Sequence, residues 1–259
     1  MMELSRLIVN TVLLRPYVFF FLAVSLMSAS RVLGWPRTSV LFGVTWIIAF
    51  LCEWSSTRIG IPFGDYFYTG TTVGEELYLS NVPFMDSLSF TFLLYASYCL
   101  ALLFCLHWTN HTSFQPFDLG TMVSWPVIGL TALFFMLIDV VIDPVALRGD
   151  RWFLGQIYGY PEPGLYFGVP LANFGGWLIV GLLSMSIYRL LGSTPWLVAR
   201  TSPVVRRNDV LLGCGLYYGI LAFNLFMTFW IGEPLLGVVG CLLYLPLTAL
   251  AVLKLGRVI

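Results

Sequence analysis

The chain has 259 residues, 59% of them hydrophobic and 10% charged, with a mean hydropathy of +0.88, a balance far outside that of soluble domains. Thirteen basic and thirteen acidic residues cancel, so nothing provides the basic footprint that a nucleic acid requires; composition defines an integral membrane protein. Five cysteines, Cys52, Cys99, Cys105, Cys214 and Cys241, stand singly in apolar segments. They offer neither a disulfide framework nor a zinc knuckle and read as small packing residues.

About 20 apolar residues are needed to cross the hydrocarbon, and the stretches at roughly 11–33, 38–54, 84–106, 119–143, 169–191, 209–231 and 234–253 qualify. Only helices satisfy their own backbone in lipid, and no alternating barrel pattern is present. The expectation is an all-α polytopic bundle of seven spans, give or take one, in a single domain over residues 1–259. Residues 17–27 followed by Ser28-Ala29-Ser30 have the form of a signal peptide with its cleavage site, but the apolar run is long enough to span and is read as the first helix.

Seven spans put the N-terminus and two long connections, 55–83 and 144–168, on one side. That side holds Arg6, Arg15, Arg58, Arg148 and Arg151, against Arg31, Arg37, Arg189, Arg200, Arg206, Arg207, Lys254 and Arg257 opposite. The excess of positive charge favours the opposite side as cytoplasmic. Acidic residues are more lopsided, since only Asp118 and Asp209 lie away from the N-terminal side. One face of the bundle therefore concentrates the titratable chemistry.

The second span ends near Glu53 in "CEWSSTRIGIPFGDYFYTG", whose Gly60, Pro62, Phe63, Gly64, Tyr66 and Tyr68 make a tight aromatic loop. Such a loop serves as a lid over a site or as an interfacial aromatic belt. The third span opens with "VPFMDSLSF", carrying Asp86. His107 and His111 have the i, i+4 spacing of a zinc pair, but they fall on the face away from the carboxylates and no Glu follows the first, so no metal site is expected there. The sequon Asn110-His111-Thr112 lies on the side read as cytoplasmic and carries no weight.

The fourth span ends in "LFFMLIDVVIDPVALRGDRW". On a helix, Asp139 and Asp143 point the same way, about 6 Å apart, one turn from the end set by Pro144. With the span centred near residue 131, Asp139 lies about 12 Å from the midplane, just inside the hydrocarbon edge. Two carboxylates sharing a buried site can hold one proton between them and act as a Brønsted acid; the alternative is a polar knot tied to Arg58, Arg148 or loop amides. The next connection, "RGDRWFLGQIYGYPEPGLYFGVPLANFGGWL", adds Trp152, Tyr158, Tyr160 and Tyr166 before the i, i+4 pair Asn173 and Trp177. An amide there can hold a carboxyl group or a water, and a Trp face can steady a cation; ordinary helix packing is the alternative. Glu233 before Pro234 caps the last span or completes the acidic face.

Taken together, "EW", "GIPFGDYFY", "DVVIDP" and "YFGVPLANFGGW", in that order from about residue 53 to 180, resemble the integral membrane carotenoid hydratases that act on acyclic carotenoid ends. The resemblance implies addition of water across the terminal C1=C2 double bond of a ψ-end group, as in lycopene or γ-carotene, by a multi-pass protein of the cell membrane. It calls for no nucleotide, flavin or metal. It implies a carotenoid substrate in the bilayer and allows contacts with other enzymes of the carotenoid pathway. The motif residues map onto Glu53, Gly60, Pro62, Phe63, Gly64, Tyr66, Tyr68, Asp139, Asp143, Pro144, Tyr166, Gly168, Pro170, Asn173, Phe174, Gly176 and Trp177. Asp86 departs from the family's pattern, in which a Leu-Ala-Trp run follows "VP", and so stands outside the implied machinery with a bearing on substrate choice.

Hydrating a trisubstituted alkene takes a proton to C2, a tertiary cation at C1, and a placed water. Asp139 and Asp143 are the candidate acid, and Glu53 or Asn173 the group that orients the water and takes its proton. The candidate substrate-binding residues are Tyr66, Tyr68, Trp152, Tyr166, Trp177 and Arg58. A C40 chain is about as long as a bilayer is thick, which would set its end group near Asp139. Rival readings are a prenyltransferase using Asp-x-x-x-Asp for Mg²⁺ and diphosphate, which wants more cations than Arg58, Arg148 and Arg151; a proton-coupled transporter, which wants repeats or broken helices at the midplane; and a non-catalytic carotenoid-binding protein.

Overall fold

The computed structural model describes residues 2–107, 114–116, 119–194, 197 and 204–256. His111, the sequon at 110–112, Asp118, Arg200 and Arg257 lie outside the described residues. Proline lacks an N–H and disfavours helical backbone in the residue before it. Accordingly the expected first span is broken at Arg15 into α1 (Met2–Leu14) and α2 (Pro16–Val32), bent by 86°. The break lies at the end of the bundle, not its middle. The remaining helices are α3 (Trp35–Ile59), α4 (Phe84–Cys105), the short α5 (Leu119–Met122), α6 (Trp125–Ala146), α7 (Leu171–Gly192), α8 (Arg207–Trp230) and α9 (Pro234–Gly256). Six of them are long and apolar enough to cross a membrane, and the bent pair makes seven if it counts as one span. The all-α polytopic bundle is the fold.

Two expected boundaries move. Glu53 does not end its helix: α3 runs on to Ile59 and stops at Gly60, whose left-handed backbone, φ 71°, closes the C-terminus as glycine does most readily. Nor does Pro144 end α6, which continues to Ala146. The freed carbonyls there find side chains, with Arg148 donating to Pro144 O (2.7 Å) and the Trp152 indole to Val145 O (3.0 Å).

α4 is buried all round, Leu93 through Leu103 without interruption, as expected of a helix that is apolar on every side. It packs against α2, α3, α6 and α8. Close approach comes from small residues: a Cβ on Gly213 of α8 would sit 2.3 Å from Cys99 Sγ on α4, and one on Gly181 of α7 would sit 2.9 Å from Ala132 Cα on α6. The five cysteines are free thiols, Cys99 and Cys214 buried in this packing and Cys241 exposed.

Short strand pairs tie the connections. β1 (Phe67–Tyr68) pairs with β5 (Tyr158–Gly159), joining the two long loops; β2 (Tyr78–Leu79) pairs with β3 (Val82–Pro83); and β4 (Phe114–Pro116) pairs with β6 (Val204–Arg206) at the other end of the bundle. The loop between α3 and α4 is anchored at the α1–α2 break. Arg15 Nη2 meets Glu76 Oε1 at 3.3 Å, both side chains fully buried, and Arg15 Nη1 donates to Leu154 O at 2.6 Å. Thr11 accepts from Leu77 N at 2.8 Å. One cation thus pins both long loops to the start of α2.

Removing one partner of a buried ion pair strands the other charge, whereas replacing both does not. Arg15→Met should therefore destabilise the detergent-solubilised protein by about 3–5 kcal/mol, and Arg15→Met with Glu76→Leu should recover most of that loss. Thermal midpoints of the three proteins check this.

Candidate active site

Tyr66-Phe67-Tyr68 and Tyr158-Gly159-Tyr160 are each a three-residue run with period two. The β1–β5 pairing sets Phe67 opposite Gly159 and Tyr68 opposite Tyr158. Because side chains alternate along strands, all four tyrosines fall on one face. The Tyr66 ring lies 5.4 Å from that of Tyr68 and 6.3 Å from those of both Tyr158 and Tyr160. Phe67 takes the other face, lying where Gly159 has no side chain: a Cβ there would be 3.1 Å from Phe67 Cζ.

This tyrosine face covers a cavity with about 1020 Å³ of empty space, counting the part open to solvent. One wall belongs to α6 and α7. Asn173 Nδ2 spends its two protons on Asp139 Oδ2 (2.7 Å) and Asp143 Oδ2 (3.2 Å). Asp143 accepts further bonds from the Tyr160 hydroxyl at 2.9 Å and from the Tyr158 hydroxyl. Asp139 Oδ1 is buried and has no partner among the described residues. The two carboxylates are 1% and 7% exposed, yet three donors converge on Asp143 and one on Asp139.

A second wall belongs to α3 and α4. Both oxygens of buried Glu53 are engaged, Oε1 by the Tyr68 hydroxyl at 3.0 Å and Oε2 by the Ser87 hydroxyl. Asp86, one turn into α4, lines the same cavity, half-buried. Trp177 forms an aromatic floor, stacked on Phe90 at 4.1 Å with Phe135 at 4.6 Å. Phe63 lies against Phe90 at 6.0 Å, seated on Gly176, where a Cβ would be 2.3 Å from the Phe63 ring. The far side is apolar, with Tyr17 and Phe21 of α2, Phe223 of α8 and Trp152. No Lys or Arg lines the cavity among the described residues, which suits an uncharged occupant and leaves a diphosphate without a counter-charge.

The structure brings together Asp139, Asp143, Glu53, Asn173, Tyr66, Tyr68, Trp152 and Trp177. It does not bring in Arg58 or Tyr166. Arg58 lies outside, 4.2 Å over the Trp54 ring and bonded to Asn81 (2.9 Å) and Ser80 (3.1 Å). Tyr166 packs on Phe167 and Phe174 beyond the lining. The aspartates meet phenols and an amide, not arginines: Arg148 and Arg151 both pair with Glu233, which closes the α8–α9 turn away from the cavity. Asp86, set apart by its departure from the family pattern, does reach the site. So do Tyr158 and Tyr160 as hydrogen-bond donors and Asn224 of α8. The two Tyr-x-Tyr runs were the available signal for the phenols; nothing local marks Asn224.

Burial, reinforced by the neighbouring carboxylates, pushes the phenols up: Asp143 acts on Tyr158 and Tyr160, Glu53 on Tyr66, and Asp86 with Glu53 on Tyr68. They stay donors. Each binds its proton more tightly folded than unfolded, so the stability linked to them is complete below the unfolded value of about 10 and is lost as pH rises toward the folded values. Above about pH 10 the slope should approach 1.4 kcal/mol per pH unit for each such phenol, and Tyr158→Phe should make the decline shallower. Unfolding followed across alkaline pH tests this.

Fold and site together define a polytopic helix bundle that encloses an apolar cavity with a hydrogen-bonded carboxylate cluster at one mouth. Residues 12–246 match the family described as carotenoid biosynthesis protein, and the chain belongs to that family. The match extends well beyond the 53–180 stretch that carries the motif resemblance. The chain is also similar to the bisanhydrobacterioruberin hydratase of Haloarcula japonica, 29% identical over 190 residues, covering 73% of this chain and 56% of the relative. It thus spans little more than half of that protein's length. No solved structure matches.

Proposed function

We propose that the chain is a cofactor-independent carotenoid hydratase, a hydro-lyase of the cell membrane that adds water across the terminal C1=C2 bond of an acyclic, lycopene- or γ-carotene-like end group. The observation that carries this is the unequal donor supply at the Asp139/Asp143 pair. A carboxylate that accepts three hydrogen bonds is stabilised in its ionised form, and one with a buried, partnerless oxygen is not. The pair therefore shares one proton, held on Asp139 Oδ1 within an apolar cavity. Membership of a carotenoid biosynthesis family and similarity to a hydratase support the same reading.

The end group enters the mouth with the polyene trailing along Tyr17, Phe21, Phe223 and Trp152. Asp139 gives its proton to C2, and the positive charge develops at C1. The rings of Tyr66, Tyr68 and Trp177 face that charge, with each good cation–π contact contributing about 0.5–2 kcal/mol. Water bonds to C1 and gives up a proton, yielding a tertiary alcohol. Asn173 and Tyr160 hold the pair in register. With both of its oxygens engaged, Glu53 fixes Tyr68 in place.

Expression in cells that accumulate lycopene should yield a pigment heavier by one water, seen by mass spectrometry. Asp139→Asn should lower its formation by about 10²–10⁴-fold. Unchanged pigment despite good expression of the native chain contradicts the reading, and full activity of Asp139→Asn removes Asp139 as the acid.

A further inference from the structure

Water capture needs a base, and most of the polar groups at the site are already engaged. Asn173 Nδ2 serves both aspartates. Glu53 is 2% exposed, with both oxygens bonded. Asp143 takes three donors, and Asp139, a carboxylate once its proton is on C2, is placed at the carbon it protonated and takes that proton back when capture fails. One carboxylate on the cavity remains. Asp86 opens onto the same space from α4, where Asp139 projects from α6, and is more accessible than the other three acids, being half-buried where they are buried. The Tyr68 hydroxyl is near enough to act on it, yet the single proton of that hydroxyl is directed to Glu53 Oε1 at 3.0 Å. A phenol can satisfy only one of the two carboxylates at a time, so Asp86 is left able to accept.

Resting on the hydratase reading above, we infer that Asp86 is the catalytic base that takes the proton from the attacking water. Asp139 O–H breaks as C2–H forms, and the water oxygen then bonds to C1 as one of its O–H bonds breaks. That proton passes to the Asp86 carboxylate. The sum is one water added, with one proton lost at Asp139 and one gained at Asp86, to be exchanged before the next turnover. With the acid on α6 and the base on α4, two different groups serve the alkene carbon and the incoming water.

The two half-reactions separate in heavy water. Membranes holding the full chain are incubated with lycopene in D2O, and product and recovered substrate are weighed by mass spectrometry. Protonation that is not followed by capture reverses, leaving deuterium at C2 of unhydrated lycopene. Asp86→Asn should lower hydrated product by at least about 100-fold while recovered lycopene still gains deuterium, which also shows that the variant is folded and binding. Asp86→Glu should restore hydration, and Asp139→Asn should lose both signals. Hydration by Asp86→Asn within about threefold of native overturns the inference, as does loss of deuterium exchange together with hydration. Absence of hydrated product from the native chain instead overturns the hydratase reading itself.

Discussion

An ionised carboxylate cannot sit at the edge of a hydrocarbon layer without donors, and four carboxylates converge here on one cavity. Most of what is unusual in the fold answers that requirement. The donors are phenols, a serine and one amide instead of arginines. Neutral donors satisfy the acids without cancelling their charge, which leaves a proton free to be shared and moved. An Asp–Arg pair at the same place would have been equally satisfied and chemically inert.

Supplying phenols from two loops demands that the loops be rigid. Two residues of strand pairing bring Tyr66, Tyr68, Tyr158 and Tyr160 to one face, and the Arg15–Glu76 pair with its bond to Leu154 O holds both loops against the start of α2. Phe63 over Gly176 locks the first loop to α7. The kink at Pro16 contributes to the same end, since it turns α1 aside and frees Arg15 to point inward. The site is thus carried by loops whose positions are set by the bundle, and the bundle's mouth is closed by the site.

The span count, the all-α class and the polarity of the acidic face were legible because hydropathy and parity depend on residue type alone. So were Asp139, Asp143 and Asn173, whose helical spacing puts them on inward faces. What the sequence does not reveal depends on distant partners. Arg58 looked available for the aspartates until Trp54, Asn81 and Ser80 claimed it. Arg148 and Arg151 were drawn off by Glu233 across a turn. Asp86 looked marginal because its place on the cavity, near the tyrosine that Glu53 of α3 engages, is visible only in the fold. Pro144 looked like a stop because its missing N–H is obvious in sequence, while the side chains that repair the last turn are not.

In the proposed mechanism donor supply, not depth, places the shared proton on Asp139 and leaves Asp143 ionised. Infrared difference spectroscopy of the purified protein at neutral pH reads it directly. A protonated carboxyl C=O band should be present in the native protein, vanish in Asp139→Asn and persist in Asp143→Asn. A band that vanishes in Asp143→Asn and survives in Asp139→Asn would contradict the account.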